Sequence, residues 1–237
     1  VPTAREWAIG TVGVIDESSF VKRGCESVGV QRQWCGRLGK EENCQVGVFL
    51  LGATPAGNAL LDHQLYLPKS WTEDAARRKR TRVPTEITFQ TKPQIAAALV
   101  ARSTMSFDWV TADEGYGRDG TFLDALEQSQ QRYLVEIPCN TVVWTTSPMR
   151  QTPDEFVRQV RHLVMMIPSR AWEVIKLREG AKGPVAFEFA RLRVWSVRHR
   201  RAGPPLWLLI RRSLERAPEI KFYFSNAAAD TPLRTMA

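Results

Sequence analysis

A chain of 237 residues with 43% hydrophobic side chains is long enough to bury one large core or two small ones, which excludes an intrinsically disordered protein. Its apolar runs are shorter than the roughly 20 residues of a membrane span, and VPTAREWAIG at the start lacks a secretion signal. The formal net charge is +8, from 33 Lys and Arg against 25 Asp and Glu, and such an excess is typical of proteins that bind polyanions.

Three apolar runs near the start of the chain predict an antiparallel meander. Residues 8–15 are apolar and β-branched and end at Asp16. Residues 44–53 form the second run, and residues 59–68 follow the turn signal TPAGN. Short apolar runs separated by turn signals are typical of strands that pair with their neighbours in the chain.

Helices and strands alternate after a polar, basic segment. The pattern predicts a helix over 92–103, with Pro93 in its first turn, and a second helix over 120–130. It predicts strands over 107–113 and 133–138. Because such alternation is typical of parallel pairing, residues 1–140 predict an α/β unit with a mixed five-stranded sheet.

The remainder of the chain changes in character. After a predicted helix at 153–166, short β-like runs follow at 185–197, 205–214 and 221–228, separated by Gly-Pro and Pro-Pro turns. Residues 141–225 therefore predict a β-rich unit that packs on the first one.

The stretch WVTADEGYGRDG at 109–120 can be interpreted in two ways. In the first, Gly115, Gly117 and Gly120 follow a strand and precede a helix, as in a dinucleotide-binding turn, and Glu136 takes the place of the ribose-binding acid. However, the acidic pair at 113–114 directly precedes the first glycine, where it would repel a pyrophosphate. This conflict disfavours the dinucleotide interpretation.

The second interpretation is a metal site. Asp16 ends the first apolar run as Asp113 ends the fourth, so parallel neighbouring strands would bring both carboxylates to one edge of the sheet. Two acids at one edge repel each other unless they share divalent cations. The four cysteines lack the close C-x-x-C spacing of a zinc site, which favours reduced thiols.

The stretches GVIDESSFVKRGCESVGVQRQWCGRLGKEENCQVGVFL, LYLPKSWTEDAARRKRTRVP, FQTKPQIA and TADEGYG resemble bacterial insertion-sequence transposases of the DDE superfamily. The resemblance implies an RNase H-like catalytic core over 1–140, with the β-rich unit as its insertion. It also implies that Asp16 and Asp113 are the first two acids of the catalytic triad. Glu17, next to Asp16, should point to the opposite face of the strand and be structural.

The resemblance further implies two Mg²⁺ (or Mn²⁺) ions, which would serve phosphodiester hydrolysis and strand transfer at transposon ends. The third acid of such enzymes lies on a helix after the insertion, and residues 226–237 correspond to the return toward that helix. We therefore expect the chain to be part of a longer protein, to lack this helix and to be inactive alone. Five glutamates of the β-rich unit are candidates for the third acid, and we assign none of them: Glu173, Glu179, Glu188, Glu215 and Glu219.

Clustered basic residues are the predicted contacts to double-stranded DNA. They are Arg77, Arg78, Lys79, Arg80 and Arg82 in the first cluster and Arg198, Arg200 and Arg201 in the second. Any one such cluster is also compatible with plain solvated surface. Trp144, Trp195 and Trp207 are candidates to stack on an unpaired base, although core packing is the commoner role of tryptophan in a β-rich unit.

The expected function is that of a cut-and-paste DNA transposase. The resemblance implies a homodimer on DNA in a bacterial, nucleoid-associated cytoplasmic location, with neither a membrane partner nor a small-molecule cofactor. Two alternatives stay open, namely a nuclease of the same fold without strand transfer and a non-catalytic DNA-binding remnant.

Overall fold

The structure, a computed structural model, describes residues 10–147, 157–181 and 183–237. The chain divides into two compact units, Val1–Val110 and Thr111–Ala237, which we call unit 1 and unit 2. The mixed α/β class predicted from the sequence is confirmed. The first part of the helix predicted at 153–166 lies outside the described residues, and its described part is a short strand followed by a helix and a 3-10 turn.

The described part of unit 1 contains four complete strands and three helices. They are β1 (Val12–Val21), β2 (Gln31–Cys35), β3 (Lys40–Thr54), β4 (Gly57–Leu65), α1 (Lys69–Thr72), α2 (Ala75–Thr81) and α3 (Lys92–Ala101).

The predicted meander is present as an antiparallel sheet with β3 at its centre. β1 pairs with β3 from Val12 opposite Ala53 to Val21 opposite Cys44. β4 pairs with β3, and β2 pairs with the first residues of β3. Side chains alternate between the two faces of a strand, and the buried face of β3 carries Cys44, Val46, Val48, Leu50 and Gly52.

Helix α3 follows the sheet and starts as the sequence predicts. Thr91 and Gln94 form a reciprocal capping box, and Pro93 lies in the first turn. Together these features satisfy backbone N–H groups that have no partner within the helix. Ile95 and Leu99 are buried, one helical turn apart.

Strand β5 (Trp109–Ala112) begins in unit 1 and ends in unit 2. In unit 1, Asp108 directly precedes β5 and lies beside Thr11, which directly precedes β1. The N–H of Asp108 donates to the carbonyl of Thr11 at 2.8 Å. The N–H of Thr11 donates in turn to Oδ2 of Asp108, also at 2.8 Å.

Unit 2 continues with seven further strands and four α-helices among the described residues. They are α4 (Glu114–Gly117), α5 (Gly120–Gln128), β6 (Tyr133–Ile137), β7 (Val142–Trp144), β8 (Val157–Gln159), α6 (Val160–Leu163), β9 (Glu173–Gly180), β10 (Gly183–Arg198), β11 (Arg201–Ser213), β12 (Ile220–Ser225) and α7 (Leu233–Met236).

The strands of unit 2 pair antiparallel in the order β6-β12-β11-β10-β7-β8, with β9 also on β10. The predicted β-rich region is thus present, and its last strand, β12, pairs directly with β6. The β10–β11 hairpin turns at His199 and Arg200, both of which have positive φ angles.

Candidate acidic site and basic surfaces

Asp16 lies on the exposed face of β1. It is opposite Phe49 of β3, while its neighbour Ile15 is buried on the other face. Oδ1 of Asp16 accepts the N–H of Glu17 at 2.7 Å. The side chain forms no ion pair with any described residue, so Oδ2 is available to a ligand.

Glu17 belongs to the opposite face of the same strand. Its carboxylate pairs with Nζ of Lys92 at 2.8 Å, and both side chains are about three-quarters buried. Lys92 is the first residue of α3, so this ion pair joins the sheet to the helix. The position and partner of Glu17 match the structural role expected from the sequence.

Asp113 follows β5 and caps the four-residue helix α4. Oδ1 accepts the N–H of Gly115 at 2.9 Å, and the carbonyl of Asp113 accepts the N–H of Gly117 at 3.0 Å. The side chain is exposed and forms no ion pair with the described part of the chain. Like Asp16, Asp113 uses one carboxylate oxygen locally and leaves the other available.

Gly117, in the turn after Asp113, is needed for close packing of α4 against β6. A Cβ on Gly117 would lie 2.0 Å from the carbonyl oxygen of Glu136, so only glycine lets α4 approach β6 this closely. The carboxylate of Glu136 is held by Nζ of Lys221 at 3.0 Å. Since Glu136 has this partner and Asp113 occupies the start of the turn, the local structure disfavours a dinucleotide.

The donor atoms of Asp16 and Asp113 suit a hard divalent cation. Among the described residues, no group of three or more His, Cys, Asp or Glu side chains could hold a metal ion. Mg²⁺ in particular is often held by one or two carboxylates together with water and substrate phosphates. Two available carboxylates therefore fit such an ion when the substrate supplies further oxygen atoms.

The first basic cluster lies on α2 and divides into two groups. Arg77 donates to the carbonyl of Cys25 at 2.7 Å and lies 3.6 Å from the centre of the Trp71 ring. Arg78 donates to the carbonyl of Thr72 at 2.9 Å and to that of Pro84. These two side chains hold the local fold together.

The remaining members of this cluster face solvent. Arg80 forms an exposed ion pair with Glu26 at 3.3 Å, and such pairs contribute little to stability. Lys79 and Arg82 are exposed and have no polar side-chain partner among the described residues. Arg82 has φ 57°, a left-handed conformation that favours glycine.

The second basic cluster, at the β10–β11 turn, also divides. Arg198 is only 6% exposed, and its guanidinium donates to Asp124 at 2.6 Å and to both oxygens of Glu127 at 2.7 and 2.8 Å. Arg200 and Arg201 are exposed and unpaired within the described chain. The exposed basic surface at this turn therefore includes Arg200 and Arg201 and omits Arg198.

The charges around Arg198 stabilise each other. Burial alone would lower the pKa of Arg198, but the hydrogen bonds to Glu127 and Asp124 outweigh burial and raise it. Burial alone would raise the pKa of Asp124, but the hydrogen bonds from Arg198 and His199 hold it below the usual value. Burial also raises the pKa of Tyr133, whose hydroxyl donates to Glu127 at 2.6 Å.

The other candidates from the sequence lie in unit 2. The indole N–H of Trp207 donates to the carbonyl of Ala228 at 3.1 Å, and Arg191 lies 4.2 Å from the centre of its ring, so Trp207 is already stacked. Trp144 and Trp195 are half-buried neighbours on paired strands. Glu188 is bound to Arg212 at 2.6 Å.

A probable transposase for insertion sequence element IS701 from Microchaete diplosiphon is 31% identical over 134 residues, which are 55% of this chain and 32% of that protein. The chain thus spans about a third of the length of this curated relative. The NurA nuclease from Sulfolobus solfataricus aligns with a TM-score of 0.36 and 9% identity over 93% of this chain and 69% of that chain.

No helix in the described parts of the chain is both long and apolar enough to span a membrane. Residues 3–183 match the family described as DDE superfamily endonuclease, a stretch that includes both acids and all of β1 to β9. The match covers well over half of the 237 residues and agrees with the resemblance seen in the sequence motifs. The chain therefore belongs to the DDE superfamily endonuclease family.

Proposed function

We propose that this chain supplies the metal-dependent catalytic core of an insertion-element transposase, which hydrolyses and rejoins DNA phosphodiesters at the element's ends. The observation that carries the proposal is the family match over residues 3–183, which contain Asp16 and Asp113 as exposed acids without ion-pair partners in the described chain. In the proposal, residues 1–140 form the RNase H-like core, 141–225 its insertion, and 226–237 the return toward the core.

In the proposed site, Asp16 and Asp113 would hold two Mg²⁺ or Mn²⁺ ions. When bound, the cations would stabilise the attacking and leaving oxygens of an in-line displacement. The family match supports a divalent metal, and the oxygen ligands support Mg²⁺ or Mn²⁺ over softer metals. The third acid of the triad is left unassigned.

The start of β5 in unit 1 supports a common role for the two acids. Thr11 and Asp108 exchange hydrogen bonds there. Asp16 lies five residues after Thr11, and Asp113 lies five residues after Asp108. Equal spacing from a paired position is what two acids need if their strands carry them to the same sheet edge. Their common metal site stays a prediction.

The exposed basic side chains support DNA as the substrate. Lys79, Arg80 and Arg82 in unit 1, and Arg200 and Arg201 in unit 2, can approach phosphate groups without breaking a buried contact. Arg82 and Arg200 also occupy left-handed backbone conformations. Non-glycine residues there cost of order 1 kcal/mol or more, so an arginine at such a position is consistent with a functional role.

Replacing Arg82 or Arg200 with glycine should weaken DNA binding without weakening the fold. Each substitution removes one phosphate contact, so the slope of log affinity against log salt should become shallower by about 0.9. The free energy of unfolding should change by less than about 1 kcal/mol, because relief of the left-handed conformation offsets the added freedom of the unfolded chain. Fluorescence anisotropy at several salt concentrations and urea unfolding measure the two effects.

Gln130→Gly is the matched control for this prediction. Gln130 has φ 56°, so glycine changes the backbone in the same way but removes no charge. Its salt slope should equal that of the parent protein. If Arg82→Gly and Arg200→Gly also leave the slope unchanged, both arginines belong to plain solvated surface.

A cleavage and joining assay tests the function itself. The protein is incubated with duplex DNA carrying the element's ends and with Mg²⁺ or Mn²⁺, and the products are separated on denaturing gels. Cleaved and joined products that disappear with EDTA support a transposase, and cleaved products alone indicate a nuclease without strand transfer. Calorimetry measures whether the protein binds the metal. A protein that binds DNA but takes up no metal would indicate the non-catalytic alternative. The proposed homodimer on DNA and association with the nucleoid require separate measurements.

A further inference from the structure

A polar pocket of about 310 Å³ lies within unit 2, next to the glycine turn. It is formed by the α4–α5 turn, the segment after β6 and the end of β10. The polar side chains that line it are Arg118, Asn140, Thr141, Ser196, Arg198 and His199. None of the described residues that line it is acidic, while Arg118 and Arg198 are cationic.

Two buried groups in the pocket lack a protein partner. Ser196 is 1% exposed, and its Oγ makes no hydrogen bond with the described residues. The Nε of Arg198 is likewise buried without a partner, although the terminal nitrogens of the same guanidinium are fully engaged with Asp124, Glu127 and Tyr133. Buried polar atoms are nearly always satisfied in folded proteins, so both atoms point to a ligand.

The backbone around Ser196 is shaped to hold its hydroxyl there. A register shift between Trp195 and Val197 marks a β-bulge in the β10–β11 hairpin. A Cβ on Gly203 of the partner strand would lie 2.4 Å from Ser196 Oγ, so the glycine leaves room for this hydroxyl. Bulges often re-aim a side chain beside a functional site.

The charged side chains around the pocket are arranged in local pairs. His199 contacts Asp124 at 2.9 Å, so this carboxylate is already shared by two basic side chains. Arg118 is exposed, and its Nε donates to the carbonyl of Glu114 at 3.2 Å while its terminal nitrogen forms a long ion pair with the Glu114 carboxylate at 3.7 Å, so an anion can engage its guanidinium without breaking a buried contact. Gly120 begins the nine-residue helix α5, where the carboxylate of the N-cap Asp119 accepts the N–H of Phe122 at 2.9 Å, and the N–H groups of Gly120 and Thr121 have no acceptor within the helix.

We propose that this pocket binds a phosphodiester group of the DNA strand next to the phosphate that reacts at Asp113. The pocket is linked to Asp113 through α4, because the N–H of Gly117 donates to the carbonyl of Asp113 at 3.0 Å. Four helical residues span about 6 Å, which puts the pocket within reach of a flanking phosphate. Ser196 and Arg118 are thus positioning residues, and the identity of the ligand as DNA rests on the proposed function.

Ser196→Ala and Arg118→Gln test the pocket. Binding of a fluorescent single-stranded oligonucleotide is measured in EDTA, and inorganic phosphate is titrated separately by calorimetry. Each variant should weaken oligonucleotide binding by roughly tenfold, the effect of one lost hydrogen bond to a charged group. Arg118→Gln should also reduce the salt slope by about 0.7, the value for one phosphate of a single strand, whereas Ser196→Ala, which removes no charge, should leave the slope unchanged.

Two controls separate a binding site from a structural role. Ser19→Ala removes a buried serine in unit 1, and Arg216→Gln removes an exposed charge on the β11–β12 turn. Both should bind as the parent does. Since Ser196 Oγ has no protein partner, Ser196→Ala should not lower the melting temperature. The proposal is overturned if Ser196→Ala binds the oligonucleotide as tightly as the parent does. It is also overturned if Arg216→Gln loses as much affinity as Arg118→Gln.

The metal-free assay keeps this proposal distinct from the catalytic one. Loss of oligonucleotide binding in the pocket variants supports the pocket even if the protein never cleaves DNA. Conversely, metal-dependent cleavage by a Ser196→Ala protein with unaltered DNA affinity would refute the pocket and leave the catalytic proposal intact. Phosphate binding that the variants weaken, with no change in DNA affinity, would identify a site for free phosphate and overturn the assignment to DNA.

Discussion

Replacing Arg198 with methionine should lower the free energy of unfolding by about 3 to 5 kcal/mol, because it leaves two carboxylates without their buried cation. For a chain of this length that corresponds to a fall in melting temperature of roughly 6 to 20 °C. The side chain of Arg198 is 4% exposed, while those of Glu127 and Asp124 are 22% and 34% exposed. Because both carboxylates are partly exposed to water, the fall in the free energy of unfolding should lie near the lower end of this range.

Arg201→Met is the matched control for this prediction. Arg201 lies directly opposite Arg198 in the hairpin but is exposed and unpaired within the described chain. Its replacement should change the free energy of unfolding by no more than about 0.5 kcal/mol. Chemical denaturation of both variants measures the difference. Equal stabilities would show that the Arg198 network contributes nothing.

A triple variant checks the mechanism behind the loss. Adding Asp124→Asn and Glu127→Gln to Arg198→Met removes the uncompensated charges, so part of the lost stability should return. If the triple variant is less stable than Arg198→Met alone, packing around the guanidinium rather than charge pairing is responsible.

The same network predicts a pH dependence. The folded pKa of Asp124 lies below the ordinary value of 3.8, so its contribution is fully present above that value. It is lost as the pH falls from 3.8 through the lower pKa of the folded state, where the carboxylate takes up a proton. Arg198→Met should remove this acid-side loss, since the hydrogen bonds from Arg198 help to lower the pKa. Thermal unfolding between pH 2 and 6 would show whether it does.

The order of elements could largely be predicted from the sequence, because local patterns dominate it. The apolar runs at 8–15 and 44–53 locate β1 and β3, and the Pro93 signal locates α3. Strand β2 was missed, since QRQWC carries polar side chains at its first three positions and so lacks a hydrophobic alternation. Helices α1 and α2 could not be predicted either, because they are only four and seven residues long and occupy a basic segment.

The partners of the site residues could not be predicted in the same way. Asp124 and Glu127 lie 74 and 71 residues before Arg198, so the burial of this arginine depends on contacts that a single sequence does not reveal. One local signal was present. Val194, Ser196 and Arg198 alternate on the buried face of β10, so the period of two places Arg198 on that face, whereas Arg200 lies in the turn after β10 ends.

The pocket beside the glycine turn could not be predicted from the sequence either. Its walls come from three segments, around Gly117, Asn140 and Ser196, and no motif spacing connects them. The sequence posed a choice between a phosphate and a metal at this turn. Under the two proposals these roles fall to different groups, because Asp113 at the start of α4 would bind a cation and the pocket beyond Gly117 would bind a phosphate.

Asp16→Asn and Asp113→Asn should each weaken Mn²⁺ binding by at least about a hundredfold, since loss of outer-shell partners alone costs 10- to 100-fold in metal affinity. Each substitution replaces a charged oxygen ligand with a neutral amide of nearly the same shape. Asparagine caps a helix about as well as aspartate, so Asp113→Asn keeps the hydrogen bond from Gly115 and the stability of α4. Electron paramagnetic resonance of Mn²⁺ and calorimetry measure the affinity.

Asp230→Asn is the control, because Asp230 is an exposed acid in unit 2 that lies outside the proposed site. It should bind Mn²⁺ as the parent protein does. A common metal site requires that both Asp16→Asn and Asp113→Asn lose affinity, since either acid alone gives Mn²⁺ too few protein ligands. If one variant binds as the parent does, that acid is not a ligand. Unchanged binding in both would exclude Asp16 and Asp113 as the metal-binding pair, even though the chain belongs to a metal-dependent family.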